Sequence, residues 1–383
     1  MIVLMLMQRR KDVRKAIKSF PGIFFVILYI LKVKKYKEQE RSFIMHKRVG
    51  RASVKYEEGV FIVNSASVVG TKEGQGPLGH LFDRVGSDDL FDCNTWEEAE
   101  SALQKEAVYM ALKKAGKKPE DMQMLFAGDL LGQSIASSFG LKQFEIPHLG
   151  VYGACSTCGE SMLLGSMAIE GGFADHVVCV TSSHFASAEK EFRFPLEYGN
   201  QRPLSATWTV TGSGAFVLSG KHSQGDRARI TGFTAGIVTD YGLKDSMNMG
   251  ACMAPAAAST IERHFKDFQC GPEAYDRIIT GDLGTVGQQI LLDLLRDKGY
   301  DIADVHMDCG IEIYDADTQD THAGGSGCGC SAVTFSAYVL KQIEEKFWKK
   351  VLFVPTGALL SKTSFNEGQS VPGVAHALVI EHV

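Results

Sequence analysis

The sequence predicts an α/β protein made of two related halves. From about residue 60 onward, short apolar or β-branched runs alternate with longer stretches of helical periodicity, and Gly-rich turns separate them. This pattern is typical of buried strands joined by helices. Three strand-like segments of the first part also return, in the same order, in the second part. A chain of 383 residues with 45% hydrophobic content has enough apolar material for two domain-sized units.

The three repeated segments carry the argument for duplication. One similar pair of apolar strands would mean little, but three pairs in one order indicate a duplicated unit. In the first pair, Asp129 and Asp282 occupy matching positions and are predicted to be capping carboxylates. The repeat divides the chain into halves at 45–225 and 226–383, with a ligand site expected at their shared interface. The pairs are 124–130 with 277–283, 176–181 with 350–355, and 212–217 with 375–380.

Residues 1–44 form a segment of different character. Six basic residues between 9 and 18 precede an apolar run at 20–31, and four lysines follow it. The run is shorter than the roughly 20 residues that cross a bilayer, and it contains Pro21 and Gly22, so a transmembrane helix is not predicted. Two interpretations remain: a basic segment on an anionic membrane surface, or upstream sequence translated from a start codon assigned too early, with Met45 as the true beginning.

Charge and cysteine usage exclude several classes of function. The net charge of −5 leaves no basic footprint for nucleic acid. Nine cysteines are too dilute and odd in number for a disulfide scaffold, which favours a reducing, intracellular compartment. Cys155 and Cys158 are expected on one helical turn, while Cys328 and Cys330 belong to the other half, so no metal site is predicted. No cofactor is expected either.

A cysteine stands at a predicted turn between a strand and a helix. Leu149 and Val151 lead into Gly-Ala-Cys-Ser-Thr at 153–157, and helical periodicity follows. A cysteine at a helix start lies near unpaired backbone amides and the positive end of the helix dipole, which favour anions and stabilise a thiolate. Locally, Cys155 could therefore be a nucleophile, part of an anion-binding turn, or a small buried thiol that packs the turn.

This turn, on a duplicated α/β unit, resembles the reactive-cysteine elbow of the thiolase and ketosynthase superfamily. Longer stretches are similar to one family of stage V sporulation proteins within that superfamily. The resemblance implies a thiolase-like fold in which two pseudo-duplicated halves form a layered α-β-α-β-α architecture. The similar stretches are 64–83, 127–133, 181–203, 210–219, 248–258 and 323–333.

The resemblance to the sporulation family also implies a function. It implies a protein that binds dipicolinic acid (pyridine-2,6-dicarboxylate), free or as its calcium chelate, and helps load it into the developing spore. The implied partners are membrane proteins of the stage V sporulation AC and AE types and a second copy of the chain. The implied location is cytoplasmic, peripheral on the spore inner membrane. The alternative is a condensing enzyme of the ketosynthase or acyltransferase type with Cys155 as its nucleophile.

The partners of the cysteine favour binding over catalysis. A decarboxylating ketosynthase needs two histidines, or a histidine and an asparagine, beside its cysteine. Where ketosynthases carry a histidine in a His-Gly-Thr-Gly-Thr turn, this chain has Thr-Gly-Asp-Leu-Gly-Thr at 280–285. At the second matching turn, His322 is about one residue out of register. We therefore expect a ligand-binding protein that does not form a carbon–carbon bond.

A flat dicarboxylate defines which residues should line the pocket. It needs cationic or N–H donors at both ends and an apolar wall between them. Arg193 and Phe194 offer a guanidinium and a ring in one loop, and the amides after Cys155 could take the second carboxylate. An ordinary surface loop is the alternative for this segment. The predicted ligand-binding residues are Cys155, Ser156, Thr157, His184, Arg193, Phe194, Gln201 and His322.

Overall fold

The computed structural model describes residues 47–192 and 201–383. The predicted extension 1–44 lies outside the described residues. The described residues from 49 onward fold as one unit. Within the described part of the chain, no helix is both long and apolar enough to cross a membrane.

A mixed sheet runs through the described unit. Its main path has the order β8-β7-β9-β10-β6-β1-β5-β4-β2-β3. In chain order the strands are β1 (Ser53–Val69), β2 (Met124–Gly128), β3 (His148–Gly150), β4 (His176–Ser183), β5 (Gly212–Ser219), β6 (Ala228–Thr234), β7 (Arg277–Thr280), β8 (His306–Asp308), β9 (Lys350–Val354) and β10 (Ala377–Glu381). Short strands are Arg48–Val49, Arg84–Val85, Trp208–Thr209, Gly325–Ser326, Thr356–Ala358 and Gly373–Ala375.

The strand order confirms the predicted duplication. Read from its two ends toward the middle, the sheet matches β3 with β8, β2 with β7, β4 with β9, β5 with β10 and β1 with β6. The pairing directions match as well: β2 is parallel to β3 and β4, and β7 is parallel to β8 and β9. Strands β5 and β10 then run antiparallel to their neighbours on both sides. The proposed dividing point, 225/226, falls between β5 and β6 and stays a prediction.

Helices cover the sheet and fill its middle. The longer ones are α1 (Trp96–Lys114), α2 (Ile135–Leu141), α3 (Thr157–Glu170), α4 (Phe185–Phe192), α5 (Met249–Phe268), α6 (Gly284–Arg296) and α7 (Cys328–Thr334). Shorter helices are Thr71–Gly74, Cys309–Glu312, Leu340–Glu344 and Lys362–Asn366. Helix α1 begins at the cap residue Thr95, whose hydroxyl accepts a hydrogen bond from the amide of Glu98.

Alternation along the strands produces the layers, because successive side chains of a strand point to opposite faces. In β9, Val351 and Phe353 join a central apolar cluster with α3 and α7, whereas Leu352 and Val354 join the cluster of α5 and α6. Strand β4 alternates in the same way between the central cluster and α1. The architecture is therefore the predicted α-β-α-β-α, with one helix from each half in the middle layer.

Candidate functional site

The turn before α3 is tightly closed by its own side chains. Ala154 has φ +50°, a left-handed conformation that residues other than glycine rarely adopt. The Ser156 hydroxyl donates to the carbonyl oxygen of Gly153 at 2.7 Å, and the Thr157 hydroxyl donates to that of Ala154 at 2.6 Å. The predicted strand, turn and helix are all present, and the turn carries Cys155 into the interior.

The amides predicted to receive a carboxylate already have partners. The amide of Ser156 donates to the carbonyl oxygen of Gly153 at 3.0 Å, and that of Thr157 donates to Ala154 at 3.2 Å. Both side chains are buried as well. Ser156 and Thr157 therefore build the turn rather than present free donors to a ligand.

The second half of the molecule supplies the partner of Cys155. Asp282 follows strand β7, is fully buried, and its carboxyl is hydrogen-bonded to the Cys155 thiol. Its two oxygens also accept from the Thr356 hydroxyl at 2.7 Å and from the Gly327 amide at 3.0 Å. The loops after β7 and β9 and the start of α7 thus contact the turn that carries Cys155. This contact lies at the predicted interface between the two halves.

This environment keeps the Cys155 thiol protonated. Burial raises the pKa of Cys155 well above its usual value, and the Asp282 carboxyl raises it further. Burial also raises the pKa of Asp282 to about 7, although hydrogen bonds from Cys155 and Thr356 oppose the shift. The helix start alone predicts a thiolate here. In the structure this local effect is outweighed, because desolvation and a nearby carboxylate both disfavour a second negative charge.

The open space beside the thiol is small. The elbow cavity, which both halves line, measures about 20 Å³, room for about one water molecule. A wider space of about 640 Å³, the outer groove, adjoins it and shares four of its lining residues. These shared residues are Leu130, Tyr152, Phe192 and Leu360. Lys362 also lines the outer groove.

Two histidines predicted to line the pocket lie elsewhere. His184 follows β4 as expected and is buried, but its Nε2 lies 2.7 Å from the carbonyl oxygen of Asp89 and its Nδ1 accepts from the Ala186 amide. His322 lies 2.9 Å from the carbonyl oxygen of Pro203 through Nδ1. Its Nε2 is 3.1 Å from a carboxylate oxygen of Asp320. Both rings fasten loops together and are not among the residues that line the elbow cavity.

The remaining predicted residues fall outside the cavity or outside the described chain. Gln201 is exposed and is not among the residues that line the elbow cavity or the outer groove. Arg193 and Phe194 lie outside the described residues, so their predicted roles remain predictions. Within 47–192 and 201–383, no group of three or more His, Cys, Asp or Glu side chains is arranged to hold a metal ion.

Asp282 is the functional residue that sequence reasoning placed in the wrong role. Its counterpart Asp129 is a capping carboxylate as predicted, because it accepts from the amides of Leu131 and Ser137, each at 2.9 Å. Asp282 instead contacts the thiol. One signal could have identified it, since Asp282 stands in the turn where ketosynthases carry a catalytic histidine.

The protonated thiol leads to a prediction about chemical reactivity. In timed alkylation with iodoacetamide at pH 8, Cys155 should react at least about tenfold more slowly than half-buried Cys93, because the thiolate is the reactive species and burial limits access. Asp282→Asn should accelerate alkylation of Cys155 by lowering its pKa, and should leave Cys93 unchanged. Peptide mass spectrometry measures both rates. Labelling of Cys155 ahead of Cys93 would show that the thiol is activated.

The fold and the elbow define a protein of the thiolase fold. Among solved structures, human mitochondrial 3-ketoacyl-CoA thiolase in complex with CoA matches with TM-score 0.52 at 15% identity, covering 85% of this chain and 98% of the thiolase. The 3-oxoacyl-[acyl-carrier-protein] synthase III of Aquifex aeolicus matches with TM-score 0.52 at 13% identity, covering 84% of this chain and all of that one. A variant of Xanthomonas campestris OleA matches with TM-score 0.54 at 16% identity, covering 84% of this chain and 98% of OleA.

The particular family follows from sequence. The chain belongs to the stage V sporulation protein AD family, whose model matches residues 50–381. It is 44% identical over 337 residues to stage V sporulation protein AD of Bacillus subtilis, covering 88% of this chain and 98% of that protein. The resemblance seen in the motifs is thereby confirmed, and the chain is a sporulation protein with a thiolase-like fold.

Proposed function

We propose that this protein binds dipicolinic acid for its uptake into the developing spore and does not catalyse condensation. The observation that carries the proposal is the neutral, buried thiol of Cys155, which is hydrogen-bonded to a carboxyl group at the position where condensing enzymes place their nucleophile. Membership of a sporulation family supports a spore ligand over an acyl substrate.

The lining of the elbow cavity disfavours the alternative of a condensing enzyme. Such an enzyme activates its cysteine with an adjacent base and stabilises the thioester oxyanion with positioned donors. The described residues that line the elbow cavity include no histidine, lysine or arginine. The group beside the thiol is the carboxyl of Asp282, which raises the pKa of Cys155 where activation would require a lower one.

The outer groove is the space that suits the ligand. A ring with two carboxylates does not fit the elbow cavity of about 20 Å³ but fits the adjoining groove of about 640 Å³. Phe192, Leu360 and Tyr152 provide an apolar and aromatic wall, and Lys362 provides one cation. Arg193 directly follows Phe192 in the chain, and we assign the second carboxylate to it. A cation beside an apolar and aromatic wall matches the chemistry of one carboxylate and the ring of the dianion.

Calorimetry with dipicolinate tests this proposal. We expect the wild type to bind, and Arg193→Ala and Lys362→Ala each to weaken the affinity about tenfold, because one charge-assisted contact contributes roughly 1.5–3 kcal/mol before solvent screening. Titrations with and without calcium distinguish the free acid from its chelate.

Arg296→Ala is the matched control, because Arg296 pairs with Asp293 on the exposed surface of α6 and should leave the affinity unchanged. If wild type gives no heat with millimolar dipicolinate, the proposal fails. If Arg193→Ala and Lys362→Ala both leave the affinity unchanged, the outer groove is not the binding site.

We also propose that the protein acts as a homodimer on the spore inner membrane, beside membrane proteins of the stage V sporulation AC and AE types. Support for a dimer comes from β3, the outermost strand of the main sheet path, whose three residues are all exposed. An open strand edge readily pairs with another chain. A monomer in sedimentation experiments at micromolar concentration would contradict the dimer.

A further inference from the structure

A second cavity of about 310 Å³ is lined by residues of strands β1, β6, β9 and β10 and of the segment around the end of α5. It is found where strand β1 departs from regular pairing with β6, since the register between them shifts between Lys55 and Val60. Irregularities of this kind are common beside binding sites. Its described lining shares no residue with the elbow cavity or the outer groove, and consists of Lys55, Tyr56, Glu57, Arg229, Thr231, Phe268, Cys270, Ala274, Tyr275, Lys350, Val379 and Glu381.

Cations outnumber carboxylates in the wall of this second cavity. The described lining contains three cations, Lys55, Arg229 and Lys350, and two carboxylates, Glu57 and Glu381. The Glu381 carboxylate bridges two of the cations: one oxygen lies 3.3 Å from Arg229 Nη2, and the other lies 3.4 Å from Lys350 Nζ. The Nε of Arg229 is buried and has no hydrogen-bond partner. Glu381 therefore occupies a position in which a ligand carboxylate would meet two cations.

Aromatic side chains also line this cavity and are held in place by their neighbours. The ammonium of Lys350 lies 5.3 Å from the centre of the Tyr275 ring. The Tyr275 hydroxyl is hydrogen-bonded to His264 Nε2 at 2.5 Å, and His264 Nδ1 lies 2.7 Å from the Thr234 hydroxyl. Phe268 stacks on the same imidazole with centroids 4.3 Å apart. A fixed aromatic surface beside cations suits a flat anionic ligand, because rigid walls reduce the entropy lost on binding.

We propose that this second cavity binds a small aromatic carboxylate. The carboxylate displaces Glu381 from Arg229 and Lys350, and the ring lies against Phe268 and Tyr275. The volume falls within the range typical of small-molecule sites. This inference does not rest on the function proposed for the Cys155 region.

Cys270 lines the cavity and reports on its occupancy. Of the free cysteines in the described residues, Cys270 and Cys93 are half-buried and the others are buried. With benzoate as the probe, alkylation of Cys270 by iodoacetamide should slow by at least about threefold at saturation, because a bound ligand limits access to the thiol. Cys93 serves as the internal control and should not change. Benzamide has the same shape without the charge and should give no protection.

Two substitutions with opposite expected effects separate binding from structural support. Lys350→Gln removes a cation and should raise the benzoate concentration needed for half-maximal protection of Cys270 about tenfold. Glu381→Gln removes the competing carboxylate and should lower the benzoate concentration needed for half-maximal protection several-fold. Both variants break the same ion pair. If that pair had only a structural role, both variants would therefore change benzoate protection in the same direction. Absence of benzoate protection in the wild type, or weaker protection in Glu381→Gln, overturns the proposal.

Discussion

Replacing Gly214 by valine is expected to lower the free energy of unfolding by about 3 kcal/mol or more, because the added atoms have no space. Gly214 lies in β5, and a Cβ there would come within 2.7 Å of the carbonyl carbon of Ala332 and 2.8 Å of its oxygen. Strand β5 is hydrogen-bonded on both sides, to β1 and β4, and Ala332 belongs to α7 in the middle layer. Neither partner can move away without disturbing the interface between the halves.

Gly150→Val is the matched control for that substitution. Gly150 is also a strand residue, but it lies in the outermost strand β3, and an added Cβ would meet only the His148 Nε2 atom at 3.9 Å. We expect its effect to stay within about 1 kcal/mol. Urea denaturation followed by circular dichroism measures both variants. Similar midpoints for the two would show that the β5–α7 contact can relax.

The duplicated fold could be predicted because its evidence is local. Each strand that repeats is a short apolar run ending in a turn. These runs follow one another in the same order in both halves. Segments 124–130 and 277–283 contain β2 and β7, which occupy matching positions in the sheet. Periodicity and order thus carry most of the information that the fold requires.

The roles of the two repeated aspartates could not be predicted by the same means. Asp129 accepts from amides two and eight residues further along the chain, so its role as a cap follows from local sequence. Asp282 accepts from groups 45 and 74 residues away. Identical motifs give no indication of which distant loop will arrive beside them. His184 illustrates the same limit, because its Nε2 contacts a carbonyl oxygen 95 residues earlier in the chain.

The protonation state of Cys155 could not be predicted for a physical reason of the same kind. The helix start that favours a thiolate is visible in the local sequence. The burial and the Asp282 carboxyl that outweigh it arise only when the two halves meet. Desolvation of a fully buried charge shifts a pKa by up to several units, whereas a helix terminus contributes typically 0.3–1 kcal/mol. The larger effect therefore decides the protonation state.

Glu100 provides the largest pH-dependent effect that we expect. Its carboxyl group is buried between the hydroxyls of Ser182 and Ser187, which donate to its two oxygens at 2.9 and 2.6 Å. Burial and the nearby Asp129 carboxylate raise the pKa of Glu100 to about 8. In the unfolded chain a glutamate has its usual pKa of about 4.3. The folded state therefore holds a proton that the unfolded state releases, and this stabilisation is complete below about pH 4 and is lost as the pH rises through 8.

Glu100→Gln should remove this dependence while retaining the contacts. Its carbonyl can accept from Ser182, and its amide can donate to Ser187, whose hydroxyl also reaches the carbonyl oxygen of His184 at 3.1 Å. Because one pKa unit corresponds to 1.36 kcal/mol, the free energy of unfolding of the variant relative to wild type should rise by about 3 kcal/mol between pH 5 and pH 8.

The comparison must be made between variants at each pH, because buried histidines act in the opposite direction. Burial lowers the pKa of His264 to about 3 and that of His306 to about 4. Their contribution to stability is complete above the unfolded value of about 6.5 and is lost as the pH falls. It is common to both proteins and cancels in the difference. Glu106→Gln, on the same helix beside Arg84, is the control variant. Urea denaturation measures the free energy of unfolding of wild type and both variants at each pH. A wild-type-to-Glu100→Gln difference that is the same at pH 5 and pH 8 would show that Glu100 is not held protonated in the folded protein.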